Sequence, residues 1–422
     1  MSIDKTCLHC SQPFKIALED EKFYKRVDTP PPTHCFQCRH QRQLAIRNER
    51  SLYKNTCNLC NTKIIAVFPE ETPYTVYCHK CWHGDKWDSL DYGQDPDFTK
   101  PFFEQYAEML REIPHFALFQ DGKSENCEYT NFGLANKNCY MAIGAWAEDC
   151  MYGSAFIKCK DCMDCMVQEC ELCYECFNCL NCYNLDFGKD CQNCTDSQFL
   201  EDCVSCKNCF CCAGLRHKEY MFENKQLTKA EYKKRLTNLK LTTKLAEEYL
   251  QKLDDLACKT PKLFEHGTGN ENCTGDYNKH CKDCPTCFDC IQLEDSKYCV
   301  YCGVTSHSLY DCSTSGVATE LCYETNGISQ AQNSKFLFYG RSLSDCEYCQ
   351  FCFNSRDLFG CIGLNHKRYC ILNKQYKPKE YKTLRAKLIK HMRETNEYGE
   401  FFPMEISRHK YEETVAHDYY PR

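Results

Sequence analysis

The segment Cys191-Gln-Asn-Cys194-Thr-Asp-Ser-Gln-Phe-Leu-Glu-Asp-Cys203-Val-Ser-Cys206-Lys-Asn-Cys209-Phe-Cys211-Cys212 decides the fold class. Every cysteine in it except Cys211 keeps a three-residue register, which runs back through Cys182, Cys179, Cys176 and Cys173 to Cys170. A period of three fits neither a flat strand, whose side chains alternate every two residues, nor an α-helix at 3.6. Recurrence at 9 and 12 residues instead suits a tight solenoid of short coils, with cysteine as small filler for a narrow interior. The preceding residue in Asn126-Cys127, Asn138-Cys139, Asp149-Cys150, Asp190-Cys191, Asp202-Cys203 and Asn272-Cys273 is Asn or Asp, as expected at a corner.

The same register returns in blocks farther along, at Cys281, Cys284, Cys287, Cys290, Cys299 and Cys302, then at Cys346, Cys349, Cys352, Cys361 and Cys370. A duplication underlies this. Cys212-Ala-Gly-Leu-Arg-His217-Lys-Glu-Tyr, Asn224-Lys-Gln and Glu231-Tyr232 recur as Cys361-Ile-Gly-Leu-Asn-His366-Lys-Arg-Tyr, Asn373-Lys-Gln and Glu380-Tyr381. Both copies end in a helical pattern, Leu236, Leu239, Leu245, Tyr249 and Leu253 in one and Tyr381, Leu384, Leu388 and Met392 in the other. His217 and His366 hold equivalent places, which points to a structural role such as a cap hydrogen bond. A further helix is expected at 100–112, with Phe102, Phe103, Tyr106 and Leu110 on one face, joining the N-terminal part to the first copy. Cys258, alone in a helix, is expected to pack against a neighbour.

Composition agrees with an unusual core. Cysteine makes up 41 of 422 residues and the net charge is −7. The cysteine-dense blocks 121–216 and 261–365 are acidic, whereas 217–260 and 366–422 are basic. The acidic total argues against a general nucleic-acid coat. No run of 18 apolar residues could span a bilayer, so the expectation is a soluble cytoplasmic protein without membrane contact. In a reducing compartment, closely spaced thiols serve as metal ligands or small buried hydrophobes more often than as disulfides.

The N-terminal part carries four Cys-x2-Cys knuckles: Cys7 with Cys10, Cys35 with Cys38, Cys57 with Cys60 and Cys78 with Cys81. Each knuckle presents two thiolates one metal edge apart, and two knuckles close a tetrahedral four-thiolate shell around Zn²⁺. Sequential pairing is the preferred reading, although Cys35, Cys38, Cys57 and Cys60 also fit the spacing rule. Phe14, Ile16, Phe23 and Tyr24, and Ile64, Ile65, Val67 and Phe68, read as short strands between the knuckles. His9, His34, His79 and His83 flank the cysteines and are alternative ligands, but four thiols per site suffice.

Cys7-x2-Cys10, Phe14, Phe23-Tyr24, Pro30-Pro31-Pro32 and Cys35-x2-Cys38-Arg39-x2-Arg42 resemble the small bacterial family known as the probable zinc-ribbon domain, over about the first 45 residues. Cys212 to Tyr220, and Phe359-Gly-Cys-Ile-Gly-Leu through Glu400-Phe-Phe-Pro403, resemble uncharacterised cysteine-repeat proteins of candidate-phylum bacteria. Those relatives are sometimes labelled CaiB/BaiF family, a label that implies CoA transfer. Such a transferase would need a nucleotide-binding α/β pattern that this sequence lacks.

These readings give a fold that is mainly β with short helices: N-terminal zinc ribbons followed by two duplicated cysteine-rich β-solenoid-like modules, each capped by a helix. The boundaries fall at 1–95 for the tandem zinc-ribbon head, 96–120 for a helical linker and 121–224 for the first module. A helix follows at 225–262, the second module at 263–376, and a C-terminal helix and tail at 377–422. Arg39, Arg42, Arg47, Arg50 and Lys54 form a basic stripe that either contacts nucleic-acid phosphates or is a solvated connector.

Further metal ligands are expected among Cys159, Cys162, Cys165, Cys170, Cys173, Cys176, Cys179 and Cys182, and among Cys281, Cys284, Cys287 and Cys290, on ligand density alone. No nucleotide-binding, metalloprotease or serine-hydrolase motif occurs, so no catalytic residue and no small-molecule substrate are indicated. The expectation is a non-enzymatic scaffold holding two or more zinc ions and contacting protein or RNA. The alternative is a multi-metal storage or iron–sulfur redox protein that uses the module cysteines.

Overall fold

The computed structural model describes residues 2–145, 147–155, 166–168 and 177–422. Among them the chain is mainly strand, with eight short helices. None of these helices is long and apolar enough to cross a membrane.

The three-residue register has a backbone cause. From Asn181 to Glu223 every third residue has a positive φ, and Asn126, Asn138, Asp149, Asp190, Asp202 and Asn272 all fall between 50° and 54°. Asn and Asp tolerate this left-handed conformation better than other non-glycine residues, which accounts for the Asx-Cys pairs. The chain turns at each such residue, and as far as Cys211 the residue after it is buried: Cys182, Leu185, Gly188, Cys191, Cys194, Ser197, Leu200, Cys203, Cys206, Cys209 and Cys212. Four such steps bring the chain over itself, so strand partners are twelve residues apart and parallel, as in Leu185 with Ser197 and Gln198 with Phe210.

Cysteine suits these inward positions because it is small and its thiol can donate to nearby carbonyls. Cys191 Sγ lies 3.3 Å from Lys189 O and 3.6 Å from Leu200 O. Gly188 sits where the interior is tight, since a Cβ there would come within 2.5 Å of Leu185 Cδ2. Cys211 leaves the register because it turns outward, where its Sγ lies 3.8 Å from Tyr249 O under a covering helix.

The second cysteine-rich stretch repeats the pattern, with Arg356 opposite Arg368 and Leu358 opposite Cys370. Its register break between Cys302 and Cys346 comes from two turns that carry one extra residue each. Partners there are thirteen residues apart, as in Lys297 with Tyr310, Leu309 with Cys322 and Ser313 with Asn326.

Both stretches end in the same device. Asn224 donates to Ala213 O and accepts from Ala213 N, both at 3.0 Å. Asn373 does the same to Ile362, both at 2.8 Å, and adds a bond to Ser89 O at 2.9 Å. Each asparagine sits at the turn of a short antiparallel hairpin, where Met221 pairs with Gln226 in one copy and Cys370 with Gln375 in the other. The cap is therefore the asparagine, while His217 and His366 are exposed at left-handed corners. Asn373 is fully buried, so Asn373→Ala strands a buried backbone N–H and two carbonyls. We expect it to lower stability by about 2–4 kcal/mol in urea denaturation, and Asn224→Ala, at a half-buried site, to cost about half as much.

The helices are α1 (Leu18–Arg26), α2 (Phe36–Leu44), α3 (His79–Trp82), α4 (Phe102–Glu112), α5 (Lys229–Thr237), α6 (Thr243–Ala257), α7 (Pro378–Glu394) and α8 (Val415–Tyr419). Phe23 and Tyr24, expected in a strand, lie on α1, whose first turn is acidic (Glu19, Asp20, Glu21) and last turn basic (Lys25, Arg26). That order suits the helix dipole. The helical pattern at 225–262 is two helices, because Thr228 caps α5 and Thr242 starts α6 anew. Cys258 is exposed at the end of α6.

The head, α4, α7 and the C-terminal residues share one apolar core with the second cysteine-rich stretch. Phe23 stacks on Tyr310 at 3.7 Å between ring centroids, and Phe102 meets Tyr348 and Phe359 at 5.3 and 5.6 Å. Helix α4 therefore packs on the second stretch and does not simply bridge to the first. The tail returns to the head, where Val415 N donates to Arg47 O and Ser407 Oγ to Ala45 O. Helix α6 instead covers the first stretch, packing Tyr249 on Phe199 and Phe210.

Candidate metal centres

Each centre is built from a knuckle after a strand and a second knuckle at a helix start. In the first, strand Ile3–Thr6 delivers Cys7 and pairs with Pro13–Ile16. Cys7 N donates to Gln12 O and Ser11 N to Cys7 O, closing a tight turn around Cys10. The second centre repeats this fifty residues on: strand Tyr53–Thr56 pairs with Lys63–Ala66, Cys57 N donates to Thr62 O and Asn61 N to Cys57 O. Cys35 caps α2 and Cys78 caps α3, so Cys38 and Cys81 follow within the first helical turn.

The thiols converge in two groups, Cys7, Cys10, Cys35 and Cys38, then Cys57, Cys60, Cys78 and Cys81, with the sulfurs of each group all within 4.8 Å of one another. Cys10 and Cys35 Sγ are 3.8 Å apart, as are Cys60 and Cys78 Sγ. Four sulfurs at about 2.3 Å from one tetrahedral ion lie about 3.8 Å from each other. Both groups can therefore hold a metal ion, and the knuckles pair sequentially.

The electrostatics suit a bound cation. Burial would raise the pKa of Cys7, but backbone N–H groups of Cys10, Cys35 and His9 hold it down to about 6. Hydrogen bonds from Thr62 bring Cys60 to about 6 as well. Burial pushes Cys35, Cys38 and Cys78 up, and Cys81 up to about 12. Four thiols this close cannot all ionise alone, and a divalent ion removes the conflict. No histidine belongs to either group. His34 instead sits 2.8 Å from Thr33 Oγ1 and 3.5 Å from Glu400, and burial lowers His83 to about 4.

The basic stripe is turned inward. Arg39 Nη2 lies 2.7 Å from Asp311, and Arg42 reaches Glu324 at 3.0 Å and Glu400 at 2.7 Å. Arg47 donates to Thr314 and Asn326 and stands over the Phe132 and Tyr339 rings. These three are buried, so they offer no face to a phosphate, while Arg50 and Lys54 are exposed. The partner carboxylates went unnoticed in the sequence because Asp311-Cys312 looks like any other Asx-Cys corner, and nothing marks Glu324.

Of the expected module ligands, Cys159, Cys162, Cys165, Cys170, Cys173 and Cys176 lie outside the described residues. Cys179, Cys182, Cys281, Cys284, Cys287 and Cys290 are buried and belong to neither four-thiol group. Cys284 Sγ, for instance, lies 3.1 Å from Lys282 O and 3.2 Å from Leu293 O. Every described cysteine is a free thiol. Burial lifts Cys211 to about 12, Cys212 to about 11 and Cys322 well above the ordinary range, which makes such thiols poor nucleophiles. Exposed Cys258 is the contrast. We expect Cys258→Ser to remove a fast-reacting thiol in labelling of the native protein with a disulfide reagent, and Cys212→Ser to leave the fast phase unchanged.

Fold and site together define a β-rich protein with two four-cysteine groups that could each hold a metal ion. No protein-family model matches the chain, and no curated protein matches it. Among solved structures it is similar to one described as a "putative acetyltransferase" from Desulfovibrio desulfuricans, with 11% identity, 57% of this chain and 63% of that chain covered, and a TM-score of 0.12. The chain thus spans less than two thirds of that structure's length, and a likeness of this size carries no argument.

Proposed function

We propose that this is a non-enzymatic interaction scaffold in which two structural zinc ions fix a ribbon head against one of two duplicated solenoid modules. The closed four-thiol geometry of both centres carries the reading. With four protein ligands no coordination position is left for water or substrate, which is the arrangement of structural zinc. The buried module cysteines support the scaffold over metal storage, since the described ones stack on one another with their thiols against backbone carbonyls and belong to neither four-thiol group.

In this reading the twelve-residue parallel pairing is the coil of the solenoid, and Asn224 and Asn373 close the ends of its two modules. Such stacks present extended, regular surfaces that suit binding. A protein partner is favoured over RNA, because the arginines that would have met phosphates serve the head–module contact. Elemental analysis of protein purified without chelators should give two zinc per chain and a colourless solution. Four or more metals, or iron with a visible band, would replace this reading with the storage or redox one.

A further inference from the structure

The two cysteine-rich stretches end in the same turn, and the head covers one of them. Leu372 and Asn373 have φ of 44° and 59°, and their counterparts Glu223 and Asn224 have 49° and 56°. On the second stretch this turn receives an acidic segment of the head, Asp88-Ser-Leu-Asp-Tyr-Gly-Gln-Asp95. Asn373 Nδ2 donates to Ser89 O at 2.9 Å, and Gln94 N donates to Leu372 O at 3.0 Å. Lys367 and Lys374 hold the two ends, reaching Asp88 at 3.3 Å and Asp95 at 2.6 Å.

The first stretch keeps the groups that make these contacts. Lys218 and Lys225 take the places of Lys367 and Lys374, and Asn224 and the Glu223 carbonyl those of Asn373 and the Leu372 carbonyl. Helix α6 likewise takes the place of α4, with Tyr249 on Phe199 and Phe210 as Phe102 is on Tyr348 and Phe359. Thr260, just past α6, stands against Gly214 as Trp82 does against Gly363, and Lys252 meets the Glu223 carboxylate at 3.6 Å. The acidic segment itself has no counterpart among the described residues. Leu372 and Asn373 are buried, whereas Glu223 and Asn224 are half-buried, and Asn224 Nδ2 keeps only its bond to Ala213 O. Lys218 and Lys225 are exposed and form no ion pair among the described residues.

We propose that the end of the first cysteine-rich stretch docks another protein through an acidic turn of the same chemistry as Asp88–Asp95. Two carboxylates of that turn meet Lys218 and Lys225, while a backbone carbonyl between them accepts from Asn224 and a backbone N–H donates to Glu223 O. The proposal rests on the scaffold reading and gives its partner a chemistry. Exposed Lys229, Lys233 and Lys234 on α5 add to the attraction. This chain's own copy of the segment is engaged with Lys367 and Lys374, so the occupant comes from a different protein.

The test titrates a fluorescein-labelled peptide of the sequence Asp88–Asp95 with the whole chain and reads anisotropy. Saturable binding is expected, weakened about tenfold or more by Lys218→Glu with Lys225→Glu in the protein, or by Asp88→Asn with Asp95→Asn in the peptide. Both lysines are exposed, so the protein variant should fold. No saturable binding, or binding that the lysine variant leaves unchanged, would overturn the proposal. A single-stranded RNA of equal charge that binds more tightly than the peptide and is lost in that variant would overturn it in favour of a nucleic acid. Self-association that the variant abolishes would overturn it in favour of a second copy. Metal content reads the scaffold separately: two zinc ions per chain without peptide binding would remove this site alone, and peptide binding without zinc would remove the zinc scaffold alone.

Discussion

Cys35→Ser is expected to remove one of the two metal ions per chain and to destabilise the protein by several kcal/mol, read by elemental analysis and by the denaturation midpoint. The metal loss follows from the four-thiol shell, because a hydroxyl at one corner is a far weaker zinc ligand than a thiolate. The stability loss should exceed that of an isolated ribbon. Cys35 caps α2, and two turns of that helix carry Arg39 and Arg42 into Asp311 and Glu324. When the shell opens, the helix start loses its anchor and the buried ion pairs lose their fixed geometry. Structural zinc contributes on the order of 10 kcal/mol in zinc-finger peptides, so a loss of about 3 kcal/mol or more is a modest fraction. A Cys35→Ser protein that keeps two ions and its midpoint would contradict the assignment of this centre.

Arg42→Ala is expected to cost about 3–5 kcal/mol, as removal of one partner from a buried ion pair generally does. Glu324 is fully buried and its pKa is raised, mainly by burial and despite Arg42. Without Arg42, its remaining hydrogen bond is the one donated by Tyr323 at 3.2 Å, too little for a carboxylate in that position. Glu324→Leu alone leaves Arg42 with Glu400, so it should cost less. The double variant Arg42→Met with Glu324→Leu should recover much of the loss, because the fully buried carboxylate leaves with its partner while half-buried Glu400 keeps Thr33 and His34. With Arg42→Met and Glu324→Leu as the single variants of this double-mutant cycle, additive losses would show that the two groups do not interact.

The three-residue cysteine register was legible in sequence because it is a local property. One left-handed residue in three sets which side chain points inward, and Asn and Asp at those corners advertise it. The knuckles themselves were legible for the same reason, since each Cys-x2-Cys is closed by turn hydrogen bonds only a few residues away, whereas the choice between the two possible pairings came from the folded positions of the sulfurs. Phe23 and Tyr24 were misread as strand because an alternation of apolar residues outweighed the acidic start and basic end of α1. The basic stripe was read as either a phosphate contact or a solvated connector, and neither reading could see the carboxylates some 270 residues away that bury Arg39 and Arg42.

The amino-acid sequence by itself determined the inward cysteines, the duplicated segments that end both stretches and the four Cys-x2-Cys knuckles, all governed by turns and pairings close along the chain. The tertiary structure alone decided where the head sits. The carboxylates that receive Arg39 and Arg42 and the ring that stacks on Phe23 come from segments hundreds of residues away. Desolvation turns these encounters into strong interactions, and burial is a property of the assembled chain and of no single stretch of it.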